Sequence, residues 1–397
     1  MVQVEETAGT RGMAAVVAVA LGTFAVVTSE MIPVGLLTPI GRALAVTEGV
    51  AGLTLTITGL VAALSAPLLT PALGRFDRRA VLVALMLLLA AANLLSAWSP
   101  NFGVMVVARA LVGVGMGGVW AIAAGLGGRL VPPRLAGTAT SLIFSGIAVA
   151  SVLGVPAGTY VGELAGWRAA FVAIAALAFA VALAMAVLLP KLPAEQEIRV
   201  GGVFRLLGKP ELRTGLLVVA LVVTAHFAAY TYVRPALEQL SGVGAGMIGT
   251  LLLVYGIAGV FGNFLAGAGA ARSPHRTLVV IGVVLAATLL LIPLLGGSVL
   301  TAGVLLVVWG LAYGGVSVST QTWVLLSAPE AKEAASSLFV AVFNGVIALG
   351  ALVGGQVVDA AGVSAVLWLG AALAAVAALT SLAGRAPRVS SARPADR

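Results

Sequence analysis

The sequence predicts an all-α polytopic membrane protein, with twelve transmembrane helices in two pseudo-symmetric six-helix bundles. Three observations carry that expectation. Apolar residues make up 61% of the 397-residue chain and charged residues only 9%, where a soluble domain carries about 25% charge. The apolar residues fall in twelve runs close to the ~20 residues that cross a bilayer. Charged turns and glycines recur with a shift of 196 to 197 residues. The runs are continuously apolar, which excludes the alternating pattern of a β-barrel.

Taken in order, the expected spans are 13–37, 50–71, 80–98, 102–126, 135–159, 168–189, 214–234, 247–269, 277–295, 299–325, 334–357 and 364–383. Residues 1–12 form a polar N-terminal segment with Glu5, Glu6 and a single basic residue, Arg11. A cleaved leader would be positively charged with a shorter apolar core, so residues from Met13 onward read as a retained first span. Residues 13–189 make the first bundle, 190–213 a cytoplasmic linker with eight charges, 214–383 the second bundle and 384–397 a basic, disordered cytoplasmic tail.

Orientation follows from Lys and Arg. With the N-terminus inside, 18 of the 22 basic residues fall on the cytoplasmic side, the bias expected of inner loops. Both termini are therefore expected in the cytoplasm of a multi-pass bacterial inner-membrane protein. The net charge of +8 is accounted for by this topology and does not point to nucleic acid.

The repeat supports the division into bundles. Arg75, Arg79, Gly113, Gly117 and Gly118 match Arg272, Arg276, Gly310, Gly314 and Gly315 at a shift of 197. Pro133, Ser141, Gly154, Glu163 and Gly166 match Pro329, Ser337, Gly350, Asp359 and Gly362 at a shift of 196. Six spans separate each pair, so the halves run parallel, as in transporters whose substrate site lies at the midplane between repeats.

Two ionisable residues lie inside spans. A carboxylate in hydrocarbon costs about 2.5–3.5 kcal/mol, which makes Glu30 a candidate proton carrier or an acid held by a basic neighbour. Arg109, in the fourth span, lies roughly 10 Å below the outer surface, and Glu30 about 25 Å above the inner one. Their depths agree, so the two are expected to act together. His226, Tyr230, Tyr313 and Asn344 are the candidate substrate contacts near the midplane. Tyr232, Trp120, Trp309 and Trp323 are read first as packing or interfacial anchors, and Arg234 as a side chain that snorkels to the outer interface. Gly113 to Gly118 read as helix-packing glycines, and Gly154, Pro156 and Gly158 as a bending point or fixed kink in span five.

With no Cys, disulfides, thiolate metal sites and thiol nucleophiles are excluded. No Walker loop, metal-ligand cluster or catalytic triad is present, so neither cofactor nor metal is expected and the chain does not read as an enzyme. The absence of a signalling domain counts against a sensor.

Over nearly its full length the chain resembles the major facilitator superfamily, in its twelve-span drug and metabolite proton antiporter branch. Three motifs carry this: Arg75-Phe76-Asp77-Arg78-Arg79 between spans two and three, Arg109 with Gly113 and Gly115, and Gly154-Val155-Pro156-Ala157-Gly158. A narrower likeness, to bacterial purine-ribonucleoside efflux permeases and related sugar and drug exporters, rests on Glu30-Met31-Ile32-Pro33-Val34-Gly35, Glu48-Gly49-Val50-Ala51-Gly52, Gly162-Glu163-Leu164-Ala165-Gly166-Trp167-Arg168 and Thr231-Tyr232-Val233-Arg234-Pro235. The superfamily usually has an acid at Gly74, a glycine at Asp77 and an adjacent Gly-Pro where Val155 intervenes. The resemblance implies alternating access, a cavity lined by spans one, four, seven and ten, proton coupling through Arg109, and conformational roles for Arg75, Asp77, Arg78, Arg79, Gly154, Pro156 and Gly158. The expected partners are a neutral or weakly cationic small molecule, protons and the bilayer, with the chain working as a monomer. A facilitator or an uptake symporter on the same fold is the alternative.

Overall fold

The computed structural model describes residues 2–72, 76–193 and 204–384. Arg75 and the tail from residue 385 lie outside them. Among the described residues, twelve helices are long and apolar enough to cross a membrane. They are spans 1 (Val2–Leu44), 2 (Glu48–Ala72), 3 (Arg78–Ala97) and 4 (Phe102–Leu130), then 5 (Pro133–Ala165), 6 (Trp167–Leu188), 7 (Pro210–Tyr230) and 8 (Ala245–Arg272). Spans 9 (Pro274–Leu295), 10 (Val299–Ser327), 11 (Lys332–Ala361) and 12 (Val363–Ala383) complete the set.

Local chemistry explains most of the boundaries. Asp77 caps span 3 by accepting from the Arg79 and Ala80 amides, and Asn101 caps span 4 by accepting from Val104. Ser298 and Thr301 form a capping box at the start of span 10, satisfying donors that a helix start leaves free. Pro210 and Pro274 sit in first turns, where the missing N–H has no helical partner to lose. Gly166 and Gly362, matched by the repeat, both take positive φ (+85° and +83°) at the turns before spans 6 and 12.

Some boundaries differ from expectation. Helix 1 runs back through residues 2–12, because nothing in that polar segment breaks a helix. Span 7 ends at Tyr230, earlier than the expected 234, and a turn leads into a short amphipathic helix, Val233–Ser241, stopped by Gly242 at φ +62°. Span 5 contains a π-helical turn, Ala150–Gly154, directly before Pro156. That turn absorbs the hydrogen bond the proline cannot make. Span 10 breaks into two helices at Gly314–Gly315.

Each half repeats the same packing. Spans 1·6, 3·6, 2·4 and 1·5 pack together in the first, and 7·12, 9·12, 8·10 and 7·11 in the second. Lipid supplies no hydrophobic drive between helices, so small residues that let backbones approach decide which faces meet. Gly113 and Gly117 lie against the Thr58 and Ala62 carbonyls of span 2, and Gly310 and Gly314 lie against the Tyr255 and Gly259 carbonyls of span 8. Both partners are related by the same shift of 197. The glycines of span 5 form another such face, with Gly154 and Gly158 against Thr28 and Ile32 of span 1.

The halves meet along spans 2·11 and 5·8. Gly59 faces Ala348 in the first seam, and Gly256 faces Ser151 and Val152 in the second. Adding a side chain at a glycine crossing overpacks it, at about 1–3 kcal/mol. Gly314→Leu is therefore expected to lower the thermal unfolding midpoint of the detergent-solubilised protein by several degrees, while Gly137→Leu, in open space, leaves it unchanged.

Candidate transport site

Arg109 is fully buried in span 4. Its Nη2 donates to the carbonyls of Ser29 (2.8 Å) and Glu30 (3.3 Å), and its Nε to that of Thr54 (3.3 Å). Thr54 and Thr58 are drawn into the same knot, because the Thr58 hydroxyl reaches the Thr54 and Arg109 carbonyls. Asn93 of span 3 exchanges hydrogen bonds with the Ser29 hydroxyl at 2.9 and 3.0 Å. A guanidinium in the bilayer thus ties spans 1, 2 and 4 through backbone oxygens, and span 3 joins through Ser29.

Glu30 is buried too. Its carboxylate makes no ion pair with Arg109. The arginine contacts the Glu30 carbonyl instead, and both Glu30 Oε1 and Arg109 Nη1 are buried without a partner. The expected common depth holds, and the two charges are close enough to interact.

Across the midplane, the second half presents rings. His226, Tyr230, Tyr255 and Tyr313 lie nearly parallel: His226 is 9° from Tyr313, 20° from Tyr230 and 14° from Tyr255. The Trp309 indole stands edge-on to His226, Tyr230 and Tyr255, at 78–85°. Its Nε1–H donates to His226 Nδ1 at 3.0 Å. An indole can only donate, so Nδ1 carries no proton and the imidazole is the neutral Nε2–H tautomer. The hydroxyls of Tyr230, Tyr255 and Tyr313 have no hydrogen-bond partner among the described residues. Tyr313 lies within electrostatic reach of Glu30.

Of the expected substrate contacts, His226, Tyr230 and Tyr313 converge in this cluster. Asn344 does not join it; its amide donates to Val340 of its own helix at 2.9 Å. Tyr255 was missed because one tyrosine among many apolar residues carries no signal until spans 7, 8 and 10 are packed. Tyr232, Trp309 and Trp323 are buried, so they pack within the protein and do not anchor it at an interface.

Arg234 departs most from expectation. It does not snorkel but is buried, with only 4% exposure, because two acids and a carbonyl surround it. Its Nη2 donates to Glu163 at 2.7 Å, Nε to Glu238 at 2.9 Å and Nη1 to the Gly35 carbonyl at 2.6 Å. Glu163 and Gly35 belong to the first half. Asp359, the repeat mate of Glu163, reaches the other way, accepting from Thr47 at 2.7 Å and the Gly49 amide at 2.9 Å. Gln239 donates to Glu48 at 3.0 Å, and Tyr160 pairs with Thr250. These bonds close the seam at the end opposite the termini. The motif residues Gly35, Glu48, Gly49, Glu163 and Arg234 meet there, and sequence reasoning gave none of them a part in joining the halves.

At the terminal end, Asp77 also accepts from the Leu192 amide at 2.9 Å, and Arg79 donates to the Ala186 carbonyl. The motif between spans 2 and 3, with Arg78 in the same turn, is thereby fastened within its own half.

Two parallel six-helix halves, charged residues buried inside membrane-spanning helices and a polar seam between the halves define a multi-pass membrane transporter rather than an enzyme. The chain belongs to the Major Facilitator Superfamily, whose model matches residues 19–351. It is 35% identical over 365 residues, 92% of each chain, to a protein of Escherichia coli O6:K15:H31 (strain 536 / UPEC) named purine ribonucleoside efflux pump NepI. A protein of Shigella flexneri with the same name is 34% identical over 92% of each chain. Among solved structures, a bacterial homolog to the human lysosomal transporter Spinster, in an inward-facing and unoccupied conformation, matches with TM-score 0.74 at 15% identity, covering 95% of this chain and 99% of that one. The nucleoside transporter NupG matches with TM-score 0.74 at 16% identity, covering 93% and 98%.

Breaking a buried pair by removing one partner costs about 3–5 kcal/mol, so the double variant Arg234→Gln, Asp359→Asn is expected to loosen the closed end. The chain has no cysteine, and Ala348 is buried against Gly59. An Ala348→Cys reporter should react severalfold faster with an impermeant maleimide, applied from the closed face, in that background than alone.

Proposed function

We propose that this protein exports a purine-nucleoside-like solute in exchange for protons, by alternating access between its two halves. The observation that carries the reading is the Glu30 carboxylate, buried at mid-membrane beside Arg109 and left without a hydrogen-bond partner on Oε1. An acid in that position gains or loses a proton without breaking a structural ion pair. Arg109 is permanently charged and occupied by carbonyls, so it biases Glu30 without neutralising it by contact.

The bias of Lys and Arg supports cytoplasmic termini. The closed seam at Arg234 and Asp359 then faces outward, and the solute enters from the cytoplasm. In the cycle, Glu30 releases its proton inward as the solute binds. The seam opens, the solute leaves outward and Glu30 takes a proton from outside. Each charge moved with the membrane potential contributes about 2.3 kcal/mol per 100 mV. The purine-nucleoside assignment draws on the relatives' names together with the aromatic, uncharged character of the ring cluster.

The test is efflux of labelled inosine from energised cells. Export that collapses with a proton uncoupler, and that is lost in Glu30→Gln at unchanged membrane abundance, is the expected result. Undiminished uncoupler-sensitive export by Glu30→Gln would remove Glu30 from coupling, and wild-type flux indifferent to the uncoupler would make the protein a facilitator.

A further inference from the structure

The aromatic residues of the second half are not distributed as packing alone requires. Tyr255, Tyr230, His226 and Tyr313 form a stepped ladder, with centroid spacings of 4.9 Å from Tyr255 to Tyr230, 4.9 Å from Tyr230 to His226 and 3.3 Å from His226 to Tyr313; it turns sharply at Tyr230, since Tyr255 also lies 6.4 Å from His226. Trp309 braces the ladder from the side and holds His226 by its ring nitrogen. The inner three rungs are buried at 7%, 6% and 1% exposure. Tyr313, the last rung, is only partly buried, with one ring face on His226. It is also the rung within electrostatic reach of Glu30. Tyr313 directly precedes the Gly314–Gly315 break in span 10, so its backbone sits where that helix is interrupted.

We propose that the face of Tyr313 turned away from His226 is the nucleobase subsite, on which an uncharged purine ring stacks as the next rung. The proposal rests on the nucleoside reading above and names the residue that would recognise the base. The ladder is rigid and desolvated behind Tyr313, so a planar ligand meets a surface already flat and ordered, and little conformational freedom is lost on binding. The ring face recognises any aromatic base, while the unpartnered Tyr313 hydroxyl supplies a donor and acceptor beside it. Every rung is uncharged and the acid Glu30 lies within electrostatic reach of Tyr313, so a nucleoside is accepted in preference to a nucleotide with its phosphate. Stacking grows with ring area, which ranks purine above pyrimidine nucleosides and both above a free pentose.

The experiment is equilibrium binding of labelled inosine to the purified full-length protein in nanodiscs, with uridine, ribose and inosine monophosphate as competitors. Base-on-aromatic stacking is worth about 1–3 kcal/mol by side-chain truncation, and each 1.4 kcal/mol is tenfold in Kd. Tyr313→Leu, which keeps an apolar side chain without a π face, is expected to weaken inosine binding about tenfold or more, and Tyr313→Phe to restore most of the affinity. Inosine and uridine should compete in that order, with ribose and inosine monophosphate far behind. Equal inosine affinity in wild type and Tyr313→Leu overturns the subsite and leaves the nucleoside reading standing. A wild-type protein that binds neither inosine nor uridine overturns the nucleoside reading and the subsite with it. Loss of binding in Tyr313→Phe as well as Tyr313→Leu also overturns it, since the π face alone would then not suffice.

Discussion

The rest of this structure depends on burying a permanent cation in hydrocarbon. Arg109 cannot shed its charge, so the surrounding helices must supply oxygens to it, and they do so with main-chain carbonyls of spans 1 and 2. That requirement fixes the rotation and depth of three helices at once. Close approach is possible because Gly113 and Gly117, one and two turns further along span 4, leave room for the span 2 backbone. The polar knot and the glycine crossing are therefore one device, in which the first supplies attraction and the second removes the steric obstacle.

Within each half the packing is dry and made of small residues, a type of contact with few alternatives of equal energy. Between the halves, the bonds at the closed end are polar, several are partly exposed, and water can replace them. A rigid-body motion that exchanges these bonds while preserving the glycine crossings is the low-cost one. The repeat makes the seam two-fold in character: Glu163 and Asp359, equivalent by sequence, each reach into the opposite half.

The two halves share a fold but divide the chemistry. The first holds the buried charges Glu30 and Arg109, and the second holds the aromatic ladder. Glu30 and Tyr313 lie within electrostatic reach of each other, and transporters built from parallel repeats bind their ligands between the halves. In the proposed cycle this division gives the proton and the solute neighbouring but separate sites, so that occupancy of one is felt electrostatically at the other.

Twelve spans, the repeat and the placement of Glu30 and Arg109 inside spans were all legible in the linear sequence, because each is a matter of composition or of the cost of putting a group in lipid. Helix 1 and span 7 were misjudged at their ends, since apolar runs mark the membrane and not where a helix stops. Sequence also yielded His226, Tyr230 and Tyr313 as candidates, yet it gave Arg234 the wrong environment, overlooked Tyr255 and recognised Asp359 only as a repeat match, without its bonds to the other half. The membrane forces segments to be apolar and helical one at a time, so each segment announces itself. Whether Arg234 finds water or two carboxylates, and whether four rings line up, depends on how helices far apart in the chain are rotated against one another. That was decided only by tertiary packing.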